Sequence, residues 1–146
     1  MGIIAATATF TPSGDMHRFV DLYVQVMLFA KVQRAQAVVV EEAKSICPEL
    51  TGELRNSIMA GEIVNEGQRI IGPVLATAGH SSFVEFGTGL RGVGTYPYPL
   101  PQEGVPFTGS WIYNYRDPNW IGMPSRAFLR PALDIARARV LAEFQS

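Results

Sequence analysis

The chain has 146 residues, a net charge of −1, 47% hydrophobic and 17% charged residues, and a single cysteine, Cys47. That length suits one domain with a respectable core, the composition excludes disorder, and the charge removes any bulk electrostatic drive toward nucleic acid or a membrane surface. One cysteine excludes an intrachain disulfide, and a charge content below the roughly 25% of an ordinary soluble domain leaves apolar surface for a partner. The N-terminus, Met1-Gly2-Ile3-Ile4-Ala5-Ala6, lacks the basic flank of a secretory signal, so the expectation is a product of the cytoplasm. Residues 1–14 read as an arm, with Ile3–Phe10 either a strand or an ordered extension.

Thr11-Pro12-Ser13-Gly14-Asp15 is a cluster of breakers and caps, and no Gly or Pro follows until Pro48. This predicts one long helix from Asp15 to Ile46. Its first half carries only a narrow polar stripe of His17, Arg18, Asp21 and Gln25, with apolar residues around the remaining circumference. The apolar run Phe19–Ala30 is too short and too polar to span a bilayer. Such a helix must be covered on more than one side, a small sheet cannot do it, and a second subunit is the expected second wall.

Pro48 to Gly52 end the helix. Leu54–Val64 and Gln68–Ala76 then read as two strands joined through Asn65-Glu66-Gly67, whose Asn and Gly are hairpin residues. Pro73 donates no ladder hydrogen bond and belongs at an edge, a bulge or a strand end. His80–Phe86 fits a short helix or a strand. From Thr88 to Met123 the chain becomes rich in Gly and Pro and carries Tyr96, Tyr98, Phe107, Trp111, Tyr113, Tyr115 and Trp120. Residues 88–123 therefore read as an extended aromatic loop, with Ser110–Arg116 its best strand candidate, and these aromatics as the expected contact surface. Pro131 suits the first turn of a closing helix with Leu133, Ala136, Val140 and Phe144 on one face and Asp134 near its positive end. The order defines a single α+β domain over residues 1–146: a long N-terminal and a C-terminal helix on a small, mostly antiparallel sheet, with the aromatic loop between.

Gly87-Thr88-Gly89-Leu90-Arg91-Gly92 has the G-x-G-x-x-G spacing of a dinucleotide loop. That loop needs a strand before it and a helix opening inside it, whereas Pro97, Pro99 and Pro101 follow and oppose the helix, so the glycines read as a flexible or sharply turning exit. His17, His80 and Cys47 have no metal-ligand spacing, and no metal or cofactor is expected. His80, Ser81, Ser82 and Glu85 are close in sequence, but no nucleophile elbow surrounds either serine. Glu85, between Val84 and Phe86, reads as an ion-pair partner or a backbone cap. Arg126, Arg130, Arg137 and Arg139 read as a solvated face with intersubunit ion pairs, or as a weak phosphate-contacting strip.

Three pieces in order, "LTGELRNSI" at Leu50–Ile58, "FVEFGTG" at Phe83–Gly89 and "RAFLRPAL" at Arg126–Leu133, resemble the phage structural family named after the HK97 gene product 10. The resemblance runs from Glu41 to the C-terminus. Its framework positions here are Thr51, Gly52, Leu54, Arg55, Glu85, Phe86, Gly87, Thr88, Phe128, Leu129 and Pro131, with Ala127 where a proline is common. The resemblance implies a virion protein of a long-tailed phage or prophage and no enzyme. It implies a homo-oligomeric, six-fold ring at the head–tail junction that completes or joins the tail and touches other neck, connector and tail proteins. DNA passing through the lumen without sequence specificity is a further implied partner. A tail terminator capping the tube is the alternative, and a small ligand-binding enzyme the less favoured one. The implied location is the virion, with assembly in the host cytoplasm and no membrane involvement.

Overall fold

The computed structural model describes residues 17–48, 52–67, 69–92, 94–99 and 121–145. The expected N-terminal arm, Thr51 and the loop aromatics Phe107, Trp111, Tyr113, Tyr115 and Trp120 lie outside the described residues, as does the expected strand Ser110–Arg116. The element order is α1 (His17–Ile46), α2 (Glu53–Asn56), β1 (Ile58–Ala60), β2 (Val64–Asn65), β3 (Ile70–Ile71), β4 (Val74–Ala76), α3 (Ser81–Phe86), α4 (Gly89–Gly92) and α5 (Leu129–Gln145). The α+β architecture is the one expected, with both long helices in place and small antiparallel strand pairs between them.

The two long helices run antiparallel. Arg34 meets Glu143 at 2.8 Å and Arg139 meets Glu41 at 2.6 Å, so rising numbers on α1 match falling numbers on α5. The core lies in this seam: Val32, Ala35, Val39 and Ala43 from α1, with Cys47 just past its end, face Leu129, Ala132, Ala136 and Val140 from α5, and Phe128 is 0% exposed at the seam's end. Small residues on both helices permit close axial approach, and the apolar spacing of i, i+3/i+4 and i+7 places them on one stripe.

The hairpin covers the second flank of α1. β1 pairs with β4 in the register Ile58↔Ala76 to Ala60↔Val74, and β2 with β3 as Val64↔Ile71 and Asn65↔Ile70. The turn chemistry is the expected one: Asn65 Oδ1 accepts from the Gly67 N–H at 2.9 Å, and Gly67 has φ of 81°. Pro73 falls between β3 and β4, where its carbonyl accepts from Gly61. Gln36, 4% exposed, stitches helix to hairpin by donating from Nε2 to the carbonyls of Gly61 at 3.0 Å and Pro73 at 2.7 Å. Gly72 makes the approach possible, since a Cβ there would sit 2.5 Å from the Val32 side chain.

One expectation needs correction, and one left open is resolved. Leu54–Ser57 is not strand: Glu53–Asn56 forms the one-turn helix α2, entered through Gly52 at φ 74° and closed by the Ser57 hydroxyl donating to the Leu54 carbonyl. The turn buries Leu54 against the core, a tertiary demand that overrides its neighbours' strand propensity. His80–Phe86, left open between helix and strand, is helical as α3.

Candidate functional site

α3 places Glu85 at the start of α5. Its residue is 3% exposed, and its carboxylate accepts three backbone hydrogen bonds from the first turn of that helix: Phe128 N at 2.8 Å, Leu129 N at 3.0 Å and Arg130 N at 3.2 Å. A helix N-terminus leaves these N–H groups without intrahelical partners and carries a partial positive charge. The sequence offers no Ser, Thr, Asp or Asn at residues 126–128 to satisfy them, so a carboxylate from far upstream does so. Of the two uses expected for Glu85, this is backbone capping.

The same corner fastens the chain on both sides of the long excursion. Thr88 and Met123 exchange backbone hydrogen bonds of 2.8 and 3.0 Å, and Arg91 N donates to Ile121 O at 3.0 Å. Arg126 N donates to Val84 O at 2.8 Å, the Ser125 hydroxyl donates to the Glu85 carbonyl, and Ser125 N donates to Thr95 Oγ1 at 2.8 Å. Excursion 89–122 thus leaves and rejoins the domain through a clamp built on Glu85, Thr88 and Ser125.

The clamp corrects the reading of the glycines as a freely turning exit. A Cβ on Gly89 would meet the Ile121 carbonyl oxygen at 2.7 Å, and one on Gly122 the Thr88 oxygen at 1.9 Å, so these glycines let two backbones cross at near contact. Gly89–Gly92 also forms the one-turn helix α4, which the downstream prolines do not prevent because they begin five residues later. α4 follows helix α3 and not a strand, so the dinucleotide-loop context is missing.

Tyr96 and Tyr98, placed by the sequence in a contact surface, are half-buried against their own domain. The Tyr96 ring meets Phe86 edge-on at 4.9 Å, and Tyr98 lies 5.5 Å from Tyr96 with the Arg130 guanidinium 5.5 Å over its ring. Burial, then the charge of Glu85, pushes the Tyr96 phenol up to about 12, and its hydroxyl bonds the Glu85 carboxylate.

The remaining framework residues divide between the two ends of the hairpin and the seam. Gly52 and Leu54 shape α2, Arg55 is exposed on it, Phe128 and Leu129 are core, and Pro131 is half-buried in the first turn of α5. Glu85 and the Ser81 hydroxyl, which donates to Ala76 O at 3.0 Å, are both committed to backbone, so His80, Ser81, Ser82 and Glu85 make no hydrolytic array. Among the described residues no group of three or more His, Cys, Asp or Glu is placed to hold a metal, and no helix is long and apolar enough to cross a membrane. Of the four arginines, Arg139 pairs with Glu41 and Glu42 and Arg130 with Asp134 within the chain, both arginines on an exposed face. Sequence reasoning missed Gln36, Gly122 and Ser125, which bear on partners distant in sequence and carry no local signal.

The other unusual surface is on α1. No residue from Val20 to Lys31 is buried. Val20, Leu22, Tyr23, Val26, Met27 and Phe29 are each between 40% and 63% exposed. The helix continues past the C-terminal end of α5, which reaches only to the level of Arg34, and among the described residues nothing buries its apolar first half.

A clamped excursion and a long helix whose apolar first half is exposed mark this α+β domain. A family model described as "Bacteriophage HK97-gp10, putative tail-component" matches residues 16–87, and over that stretch the chain belongs to this family of phage tail components. The match takes in α1, residues 51–55, the hairpin and α3 through Gly87; it shares residues 41–87 with the resemblance read from the sequence, extends further upstream, and leaves the piece at Arg126–Leu133 outside. No curated protein and no solved structure matches the chain significantly.

Proposed function

We propose that this protein is a structural subunit of a long-tailed phage or prophage particle, forming a ring at the head–tail junction and completing or joining the tail. One observation carries the reading: the family match begins at residue 16 and so includes the bare apolar half of α1. A chain working alone gains nothing from holding that surface in water, whereas a ring subunit covers it with a neighbour. The clamp supports the same role, because it presents the aromatic excursion from a fixed base toward a further tail or connector protein. Within the ring, DNA would pass without base-specific contacts.

Deletion of the gene from its phage or prophage, with electron microscopy of the lysate, tests the proposal. Filled heads beside separate tails of normal length are expected. Overlong tails would replace this reading with that of a terminator, and intact particles would refute both.

A further inference from the structure

The bare half of α1 has an ordered chemistry that names its occupant. Leu22, Val26 and Phe29 follow one another at spacings of four and three and so form a single stripe along the helix. Lys31 falls on the opposite side, Asp21 lies about a quarter-turn away, and Gln25, three residues from Leu22 and four from Phe29, borders the stripe, so it is a ridge of bulky apolar groups with one polar edge. With the flanking Tyr23, it leaves Leu22, Tyr23 and Val26 each 60% exposed or more, a clustering of bulky apolar groups that marks contact surfaces. A stable contact needs about 800 Å² from each partner, so the stripe would be its centre and not the whole of it.

The outer face of α5 is complementary. Ile135, Ala138 and Ala142 are exposed and spaced by three and four, which also places them on one stripe, with exposed Leu141 beside it. Two small residues bounded by Ile135 and Leu141 make a shallow groove with apolar walls. Helices approach to 8–10 Å when a bulky ridge enters such a groove, whereas two bulky ridges hold each other apart. Within one chain the two stripes cannot meet, because α1 and α5 already pack through their opposite, buried faces.

We infer that the Leu22–Val26–Phe29 ridge of one copy seats on the Ile135–Ala138–Ala142 groove of a second copy. The inference rests on the self-assembly proposed above and specifies its contact. Each copy offers both a ridge and a groove, so the contact can repeat head-to-tail from copy to copy, the arrangement from which a ring closes, or be made twice within a two-fold pair. A ridge-to-ridge pair would stop at a dimer.

Cysteine cross-linking distinguishes these cases cleanly, since the native Cys47 is buried. Val26→Cys and Ala138→Cys chains are prepared separately, checked for a wild-type melting transition, mixed and oxidised. A covalent dimer in the mixture and neither chain alone is expected, together with loss of association in Ala138→Trp, which fills the groove from the solvent side without touching the core. Sedimentation of the wild-type chain runs in parallel. A self-associating wild type with no mixed cross-link overturns this contact and leaves self-assembly standing. Cross-linking of Val26→Cys with itself replaces the contact with the ridge-to-ridge pair. A wild-type chain that remains monomeric and gives no cross-link at high concentration removes both the contact and self-assembly by the chain alone.

Discussion

Replacing Glu85 with alanine removes the cap of α5 and the anchor of the clamp together. Three backbone N–H groups, at 2.8, 3.0 and 3.2 Å from the carboxylate, lose their acceptor in a corner where Phe128 and Leu129 are buried. Each bond to a charged group is worth about 1.5–3 kcal/mol net, and the carboxylate's interaction with the helix dipole adds up to about 2 kcal/mol. Water entering the vacated space recovers part of this. The expected loss is therefore about 3–5 kcal/mol, and a domain of this size shifts its melting temperature by about 2–4 °C per kcal/mol, giving a fall on the order of 10 °C. Glu85→Gln keeps an acceptor but not the charge and should lose about half as much. Thermal and urea unfolding followed by circular dichroism measure both. An alanine variant within about 0.5 kcal/mol of wild type would refute the capping account.

Other consequences follow from the same geometry. Gly122→Ala meets a backbone oxygen 1.9 Å away at a φ of 77°, and should cost at least about 2 kcal/mol and loosen the excursion, read as faster proteolysis between residues 99 and 121. Gln36→Leu keeps the volume but takes a donor from the Gly61 carbonyl and leaves the Pro73 carbonyl with the Gly61 N–H alone, for an expected loss of about 1–2 kcal/mol in urea unfolding; an unchanged midpoint would contradict the stitch. The Tyr96 phenol is raised to about 12 from 10.0, so folding favours its neutral form. Its contribution to stability is complete below about pH 10 and is lost as the pH rises toward 12. Absorbance titration of the folded protein should show one of the five tyrosines ionising late, and its absence in Tyr96→Phe assigns it.

Much of the fold was legible because periodicity and punctuation are local. The uninterrupted run to Ile46, Asn65 and Gly67 in the turn, and Pro131 in the first turn of α5 each announce structure within a few residues. Leu54–Ser57 was not legible, since a strand-like composition gave way to the need to bury Leu54. The clamp was half legible: a carboxylate between Val84 and Phe86 suggested a cap, but nothing nearby pointed to residues 128–130. The glycines misled more subtly. Their spacing invited a phosphate loop and their number suggested freedom, while their use is close crossing of residues 87–92 with 121–125, which only three dimensions reveal. The exposed half of α1 was readable because its polar stripe of His17, Arg18, Asp21 and Gln25 is narrow, so apolar side chains take up most of the helix circumference.

The most direct measurement is quantitative mass spectrometry of purified particles from the phage or induced prophage that encodes the chain. The account predicts the protein in every tailed particle at a small, fixed copy number set by ring symmetry, retained through density-gradient purification. Complete tailed particles without the protein would contradict it.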